Sequence, residues 1–599
     1  MSLFCQNKSL LDYDVCKDET DKALQKKYLK AVNYYNNKKF KDASLLLQEI
    51  IHKDENFASP YFLMGMIGVV TDNTKMIVKY FPLVKEICPE FNHPYLYYYM
   101  GMIDYTYEKY EKASKDFEQF LTLTDGNNYY DSLQNLAINY IDWSDFLNRI
   151  MGNKVPFEPK KISFLAKNKN YYEPFITCDK QQIYFIREEI TRDTNKDSFI
   201  ENISTHINRF SERSLLDSTG FYDKGFILDA PFNLAKKESG VSITADNRYM
   251  FFSRKMEEDD NNSWDIFYCE NIDGYWSNAK STGFNTKAWD EFSPSVSADG
   301  NTMYFVSNRE GGKGGYDIWY VKKTSNDSWS EPMNMGRNVN TFLDETYPFI
   351  AADNLHLYFL SNGRKTIGGF DIFCYNTAED KPAQNIGYPI NTEDNEHAIG
   401  VMLDGKTAYT TKKNDDNKFN EIITFTLPDN VISEKRIIKK AKLSCEIELE
   451  ANILLQNLRT NELQSYFVSS SNKDLSFILE EKTSYLVTFY RQGFMFFAQI
   501  INSLDDSIEI ALKPLESGQD MSLNSIEFNK EGSGFSDLSN VVLDSFVEFL
   551  KLNRAQRIIL KSNNKTVNAV NDYLVKSGIR QDRIDKQINN SNTIIYQIK

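Results

Sequence analysis

The sequence predicts a multi-domain chain: an α-helical repeat array, a five-bladed β-propeller, a small β-sandwich and a C-terminal α/β domain. Three observations carry that expectation. Small residues recur at Ala31, Gly65 and Gly101, 34 and 36 residues apart, inside an amphipathic helical pattern. Asp-led turns recur at Asp179, Asp246, Asp299, Asp353 and Asp404, spaced by 67, 53, 54 and 51 residues in alternating, β-rich sequence. The last stretch of the chain alternates between strand-like and helix-like patterns.

Size and composition agree. At 599 residues the chain exceeds the roughly 250–300 that one core can hold. Hydrophobic content of 41% suffices for folded cores. A net charge of −15 argues against a nucleic-acid binder, which presents a basic face. No run approaches the ~18–20 apolar residues of a membrane helix, so no transmembrane span is expected. The seven cysteines stand singly, without a CxxC pair, and their odd number fits no closed disulfide framework. Cys269 and Cys374 follow apolar runs and fit buried core positions. None of the five histidines pairs with another at ligand spacing, so neither metal nor cofactor is expected. The start "MSLFCQNK" shows no complete export signal. One reading makes it the stub of a lipoprotein signal ending at Cys5, with Phe4 bulky where a small residue is usual.

The helical region, 18–150, carries its period at three positions per turn of the repeat. Ala43, Ile77 and Ala113 keep the interval of the small residues, and Leu47, Phe81 and Phe117 fill the large position after them. This pattern resembles tetratricopeptide (TPR) repeats over about three units, with Tyr129–Leu147 as a closing helix. Such arrays bury a core only by stacking, and the resemblance implies a concave face for partner segments.

The β-rich region, 160–430, repeats one module. "SPSVSADGNTMYFVSNR" at Ser293–Arg309 is followed by "YDIWYV" at Tyr316–Val321, and "YPFIAADNLHLYFLSNGR" at Tyr347–Arg364 by "FDIFCY" at Phe370–Tyr375. The Asp turn makes a tight hairpin, since Asp, Asn and Gly tolerate positive φ. Units of about fifty residues with three or four short strands are propeller blades. These motifs resemble the TolB-type, WD-repeat-like propeller family, most clearly in units three and four. The first unit carries an insertion near Thr191–Phe221.

Asp265, Asp317 and Asp371 occupy one place in successive units, with Glu421 in the last. A catalytic carboxylate pair needs two different environments to separate its pKa values. Equivalent blade positions supply the same environment, so these aspartates and the five turn aspartates are expected to be architecture. Neither GxSxG nor HExxH occurs. The chain is therefore expected not to be an enzyme.

Residues 430–436 read as a polar linker. Beyond it, 440–515 resembles the carboxypeptidase-regulatory-like β-sandwich, through Phe477–Leu479, Tyr485–Phe494 and Ile508–Leu512. The resemblance implies a spacer without peptidase residues. The tail, 522–599, reads strand ("NSIEF"), helix, strand, helix, strand, and resembles the OmpA C-terminal domain through "VNDYLVKSGIRQDRI" at Val570–Ile584. In that family an Asp and an Arg grip diaminopimelate. Here those positions fall on Asn563 or Asn564 and on Thr566, with Lys565 beside it, a set that cannot form the carboxylate–guanidinium grip. Peptidoglycan contact at these four residues is thus expected only in degenerate form.

The module order resembles OmpA-family envelope proteins of Bacteroidota associated with type IX secretion and gliding. It implies a periplasmic, outer-membrane-associated scaffold that binds envelope proteins through the TPR groove and propeller faces. Two alternatives stay open: a propeller-based glycoside hydrolase, and a TolB-like protein binding a peptide in its propeller channel.

Overall fold

The computed structural model describes residue 16 and residues 22–162, 170–192, 204–214, 226–234, 237–255, 263–272, 274–325, 328–414, 416, 418–445, 450–469, 474–505, 508–529 and 534–599. Cys5 and most of the insertion near 191–221 lie outside them. The chain divides into two compact units, Met1–Lys154 and Val155–Lys599.

The first unit is helical among its described residues. Three hairpins follow one another: α1 (Lys22–Asn36) with α2 (Phe40–Lys53), α3 (Ala58–Val70) with α4 (Thr74–Ile87), and α5 (Pro94–Thr106) with α6 (Tyr110–Thr124). The longer α7 (Asp131–Gly152) packs on α6. The periodic residues sit where each hairpin crosses. Ala31, Ala43, Leu47, Phe81, Ala113 and Phe117 are fully buried. A Cβ on Gly65 would lie 2.7 Å from the Phe81 ring, and one on Gly101 2.9 Å from the Phe117 ring. Each glycine therefore makes room for the aromatic residue that follows it. The hairpin turns pass through Lys38, Asp72 and Glu108 at φ of 59°, 52° and 59°. In each, the next amide bonds back to a carbonyl five residues earlier, as from Asn73 to Gly68 at 2.8 Å. That is the Schellman ending of a helix, made here without glycine.

Cys16 and Cys88 form a disulfide across 72 residues, ending at the C-cap of α4. The solitary spacing of the cysteines did not announce this bridge. Closing a long loop restricts the unfolded chain, so replacing both cysteines by serine should cost the helical unit about 2–4 kcal/mol. Helical circular dichroism through a thermal melt measures this, and an unchanged midpoint would contradict it.

Among its described residues, the second unit opens with five antiparallel sheets. Their first three strands are, in order, Tyr171–Ile176, Gln182–Arg192 and Ser204–Ser214; Glu238–Ile243, Tyr249–Lys255 and Trp264–Ile272; Glu291–Val296, Thr302–Ser307 and Asp317–Ser325; Glu345–Ile350, His356–Ser361 and Asp371–Asn376; and Ile399–Val401, Thr407–Lys413 and Asn420–Thr426. Short outer strands complete the first four. The fifth is completed by Lys160–Lys161, which pairs with Ile423 and Thr424. The beginning of the segment thus supplies the outer strand of its last sheet. The first strands touch in cyclic order, the fifth returning to the first. Each of the first four bulges at one place, where Glu173, Gly240, Ser293 and Tyr347 take φ of 48°, 65°, 49° and 48°.

The stretch 430–436, expected as a linker, is packed instead. Val431, Ser433 and Arg436 are buried. The Ser433 amide donates to Gly405 O at 3.1 Å, the Arg436 amide to Leu403 O at 2.7 Å, and the Glu434 amide to Asp353 Oδ2 at 2.8 Å. It leads into a sandwich of two sheets. One holds Arg436–Cys445 between Asp474–Glu480 and Ile508–Leu512. The other runs Leu463–Ser469, Glu450–Asn457, Ser484–Phe489, Phe497–Asn502.

The terminal domain has the sheet order Asp520–Leu523, Ile594–Ile598, Ile558–Ser562, Ile584–Ile588, with α8 (Asp537–Leu552) and α9 (Asn564–Lys576). Its first strand is Asp520–Leu523, not the expected "NSIEF". Ser525 turns the chain at φ of 65°, and the Ser539 hydroxyl takes the Glu527 amide at 2.7 Å, so the alternating pattern never enters the sheet. Met495 and Phe496 of the sandwich share one apolar cluster with Phe546 and Tyr596 of this domain. The Tyr596 hydroxyl also donates to Phe496 O at 3.0 Å.

Candidate functional site

The acidic residues that repeat through the ring are the natural candidates for chemistry, and each can be followed to its partners. The turn aspartates bond the turns they open. Asp179, Asp246 and Asp299 accept from the hydroxyls of Thr177, Thr244 and Ser297 at 2.7, 2.6 and 2.6 Å. Each also accepts from the amide two residues on. Asp353 accepts from the Leu355 and His356 amides at 3.0 Å each, and Asp404 from the Thr407 amide at 2.8 Å. These are Asx turns.

The second set starts the third strand of each sheet. Asp317 accepts from the amides of Lys313 and Gly314 and from Asn334 Nδ2. Asp371 accepts from the amides of Ile367 and Gly368 and from Asn385 Nδ2. Both are buried, and burial pushes the Asp371 carboxyl up to about 6. Each ties the Gly-rich loop before its strand to an asparagine after it. Asp265 holds the same register opposite Arg254. Glu421, at that register in the last sheet, pairs with Lys161 of the closing strand at 3.1 Å.

A third repeated acid was not foreseen. Glu238, Glu291, Glu345 and Glu396 each stand eight residues before a turn aspartate, and all four are buried. Each reaches back to the loop that leads into its sheet. Glu291 accepts from the Thr286 amide at 2.8 Å and from Arg309 Nη2 at 2.8 Å. Glu345 accepts from the Thr341 amide and hydroxyl and from the Ser361 hydroxyl, all at 2.7 Å. Glu238 takes the Asn233 amide and Arg254 Nε, both at 2.7 Å, and Glu396 takes the Thr392 amide at 2.7 Å. The fixed offset was visible in the chain, but the first unit breaks it with Tyr171.

At the middle of the ring lies a cavity of about 40 Å³, lined by Glu173, Gly240, Ser293, Tyr347 and Ala398 among others. That is room for water and little else. Glu173 is the one carboxylate of that lining. It accepts from the Gly240 amide at 2.6 Å and the Tyr347 hydroxyl at 3.1 Å. Burial raises its pKa above the ordinary carboxylate range.

At the far end of the chain, Asn563 caps α9, accepting from the Thr566 amide at 2.9 Å. Asn564 accepts from Asn568 Nδ2 at 2.8 Å, the Lys565 ammonium sits 4.3 Å from the Phe528 ring centre, and Thr566 is buried. The four positions are therefore together at one helix start. Elsewhere, burial pushes the thiols of Cys178, Cys269 and Cys374 up to about 12, which keeps them protonated and unreactive. Among the described residues, no three His, Cys, Asp or Glu side chains are grouped to hold a metal ion, and no helix is long and apolar enough to cross a membrane.

No protein-family model and no curated protein matches the chain. Solved structures align with parts of it. The Yersinia enterocolitica type III secretion chaperone SycD, in complex with a peptide of the translocator YopD, aligns with 22% of this chain and 98% of its own at 12% identity and a TM-score of 0.18. A Mycobacterium tuberculosis puromycin-hydrolyzing peptidase aligns with 57% of this chain and 44% of its own, at 9% identity and a TM-score of 0.27. The Bacteroides ovatus xyloglucan protein GH43B aligns with 57% of this chain and 91% of its own, at 11% identity and a TM-score of 0.28.

Proposed function

We propose that the chain is a non-catalytic envelope scaffold: a TPR-like array that binds partner segments, carried with a five-bladed TolB-like propeller, a regulatory-like sandwich and a degenerate OmpA-like tail. The observation that carries this reading is the fate of the repeated acids. Those of the turns and of the sheet entries, with Asp317 and Asp371 of the third strands, accept hydrogen bonds from the protein's own backbone and side chains, as with Asp299, Asp371 and Glu345. Acids so engaged serve the shape of the ring rather than a substrate.

Further features favour the same reading. The Cys16–Cys88 disulfide suits an oxidising compartment such as the periplasm. The shared core of sandwich and tail suits a stiff spacer, which would hold the tail at a fixed place beside the ring. The module order resembles PorE of the type IX secretion system, which fits a link from an outer-membrane machine to the periplasm or cell wall. At the tail, a capping asparagine and a lysine over a ring replace the paired acid and guanidinium, so peptidoglycan would be held weakly or not at all.

Affinity purification of the full chain from the native envelope tests the proposal. Specific recovery of outer-membrane or periplasmic proteins is expected, with little retention on purified peptidoglycan. Hydrolytic turnover of an envelope glycan or peptide by the purified chain, with no envelope protein recovered, would overturn it.

A further inference from the structure

Glu173 stands apart from the repeated acids of the ring. Its register, six residues before the turn aspartate, is held elsewhere by Gly240, Ser293, Tyr347 and Ala398. A position that accepts glycine, serine, tyrosine and alanine does not require a carboxylate for folding. The buried glutamates are each faced by a basic side chain: Glu238 by Arg254, Glu291 by Arg309, Glu345 by Arg364 and Glu396 by Lys412. Among the described residues no cation pairs with Glu173; its partners are one amide and one phenol. A half-buried carboxyl without a countercharge is held back from ionising, and a cation from outside would offset that cost.

The space for that cation is present. A cleft of about 420 Å³ opens beside Glu173, lined also by Tyr172, Lys237, Trp264, Tyr347 and His397. Three aromatic side chains around one carboxylate suit an ammonium group carried on an apolar body, which gains from both the charge and the ring faces. Glu238 lies in the same lining but is spent on Arg254 at 2.7 Å. His397 stands edge-on to Tyr172 at 6.1 Å, and burial, with Lys413 nearby, lowers its pKa, so it adds no positive charge at neutral pH. Lys237 is exposed on the rim and disfavours a bare cation, yet it suits a ligand that also bears a carboxylate.

We infer that this cleft binds a free apolar amino acid, with its ammonium on Glu173 and its carboxylate toward Lys237. The site lies wholly within the ring and does not depend on what the helical array binds.

Titration calorimetry on the full chain tests the inference with phenylalanine, phenylalanine amide and N-acetylphenylalanine as probes. Phenylalanine should bind at millimolar concentration or better, the amide more weakly, and the acetylated form not at all. Glu173→Gln should weaken phenylalanine at least tenfold, as expected for loss of a charge-assisted pair. It should leave the melting point unchanged or raised, because the glutamine oxygen can accept from the Gly240 amide and its NH2 can donate to the Tyr347 hydroxyl, with no charge to desolvate. Trp264→Leu, which leaves the carboxylate in place, should also weaken binding. Absence of binding by both ammonium probes, equal binding of the acetylated form, or unchanged affinity in Glu173→Gln would each overturn the assignment.

Discussion

Replacing Glu291 by alanine should destabilise the ring by about 3–5 kcal/mol, because it leaves the Arg309 guanidinium buried without its partner. The Glu291 side chain is 0% exposed and that of Arg309 11%, with 2.8 Å between Oε1 and Nη2. The same change orphans the Thr286 amide, which donates to Glu291 Oε2. Two losses thus fall on one residue. Adding Arg309→Met should recover a large part of the cost, since no lone charge then stays in the core. Urea unfolding followed by tryptophan fluorescence reads this well, because five of the six tryptophans lie in the ring segment. A loss under about 1 kcal/mol, the range of a surface pair, would show that Glu291 is not the clamp described.

The second large effect belongs to the helical array. Phe81 is fully buried, stacked on Tyr99 at 5.4 Å and tilted against Phe62 at 5.8 Å. Phe81→Ala should cost about 3–5 kcal/mol through lost burial and the cavity left behind. Gly65→Ala alone should cost about 1–3 kcal/mol, because its methyl meets the Phe81 ring. The double variant should cost clearly less than the sum, since the methyl then occupies vacated space. Helical circular dichroism during denaturation of the full chain measures all three. Strict additivity would mean that Gly65 and Phe81 are not packed on each other.

These two sites also show what the chain reveals before it folds. The Gly65–Phe81 contact was legible as a period, because stacking forces a small residue wherever a large one must cross. The hairpin turns inside the same repeat were not. Lys38, Asp72 and Glu108 take a left-handed conformation that glycine usually marks, and no glycine marks it here. The turn aspartates of the ring stood out because their residue type and local sequence both speak for a hairpin. The glutamate clamp was hidden although its offset is constant, because glutamate is common and its partner amide lies in another part of the repeat. The Cys16–Cys88 bridge escaped for a similar reason: pairing over 72 residues is set by packing, not by spacing. Glu173 shows the converse. It became visible only once the bulge aligned it with Gly240, Ser293 and Tyr347, positions where the other sheets use no carboxylate.

If the repeated acids hold the ring together, the backbone amides they capture must be protected from exchange with water. Hydrogen exchange at Thr286, Thr341 and Thr392 measures this directly, because each sits in a loop and donates to a buried glutamate at 2.7–2.8 Å. The account predicts that all three exchange only with global opening of the ring, as slowly as amides of the central strands. Exchange at the rate of free loop amides would contradict it, and would leave those glutamates free for chemistry.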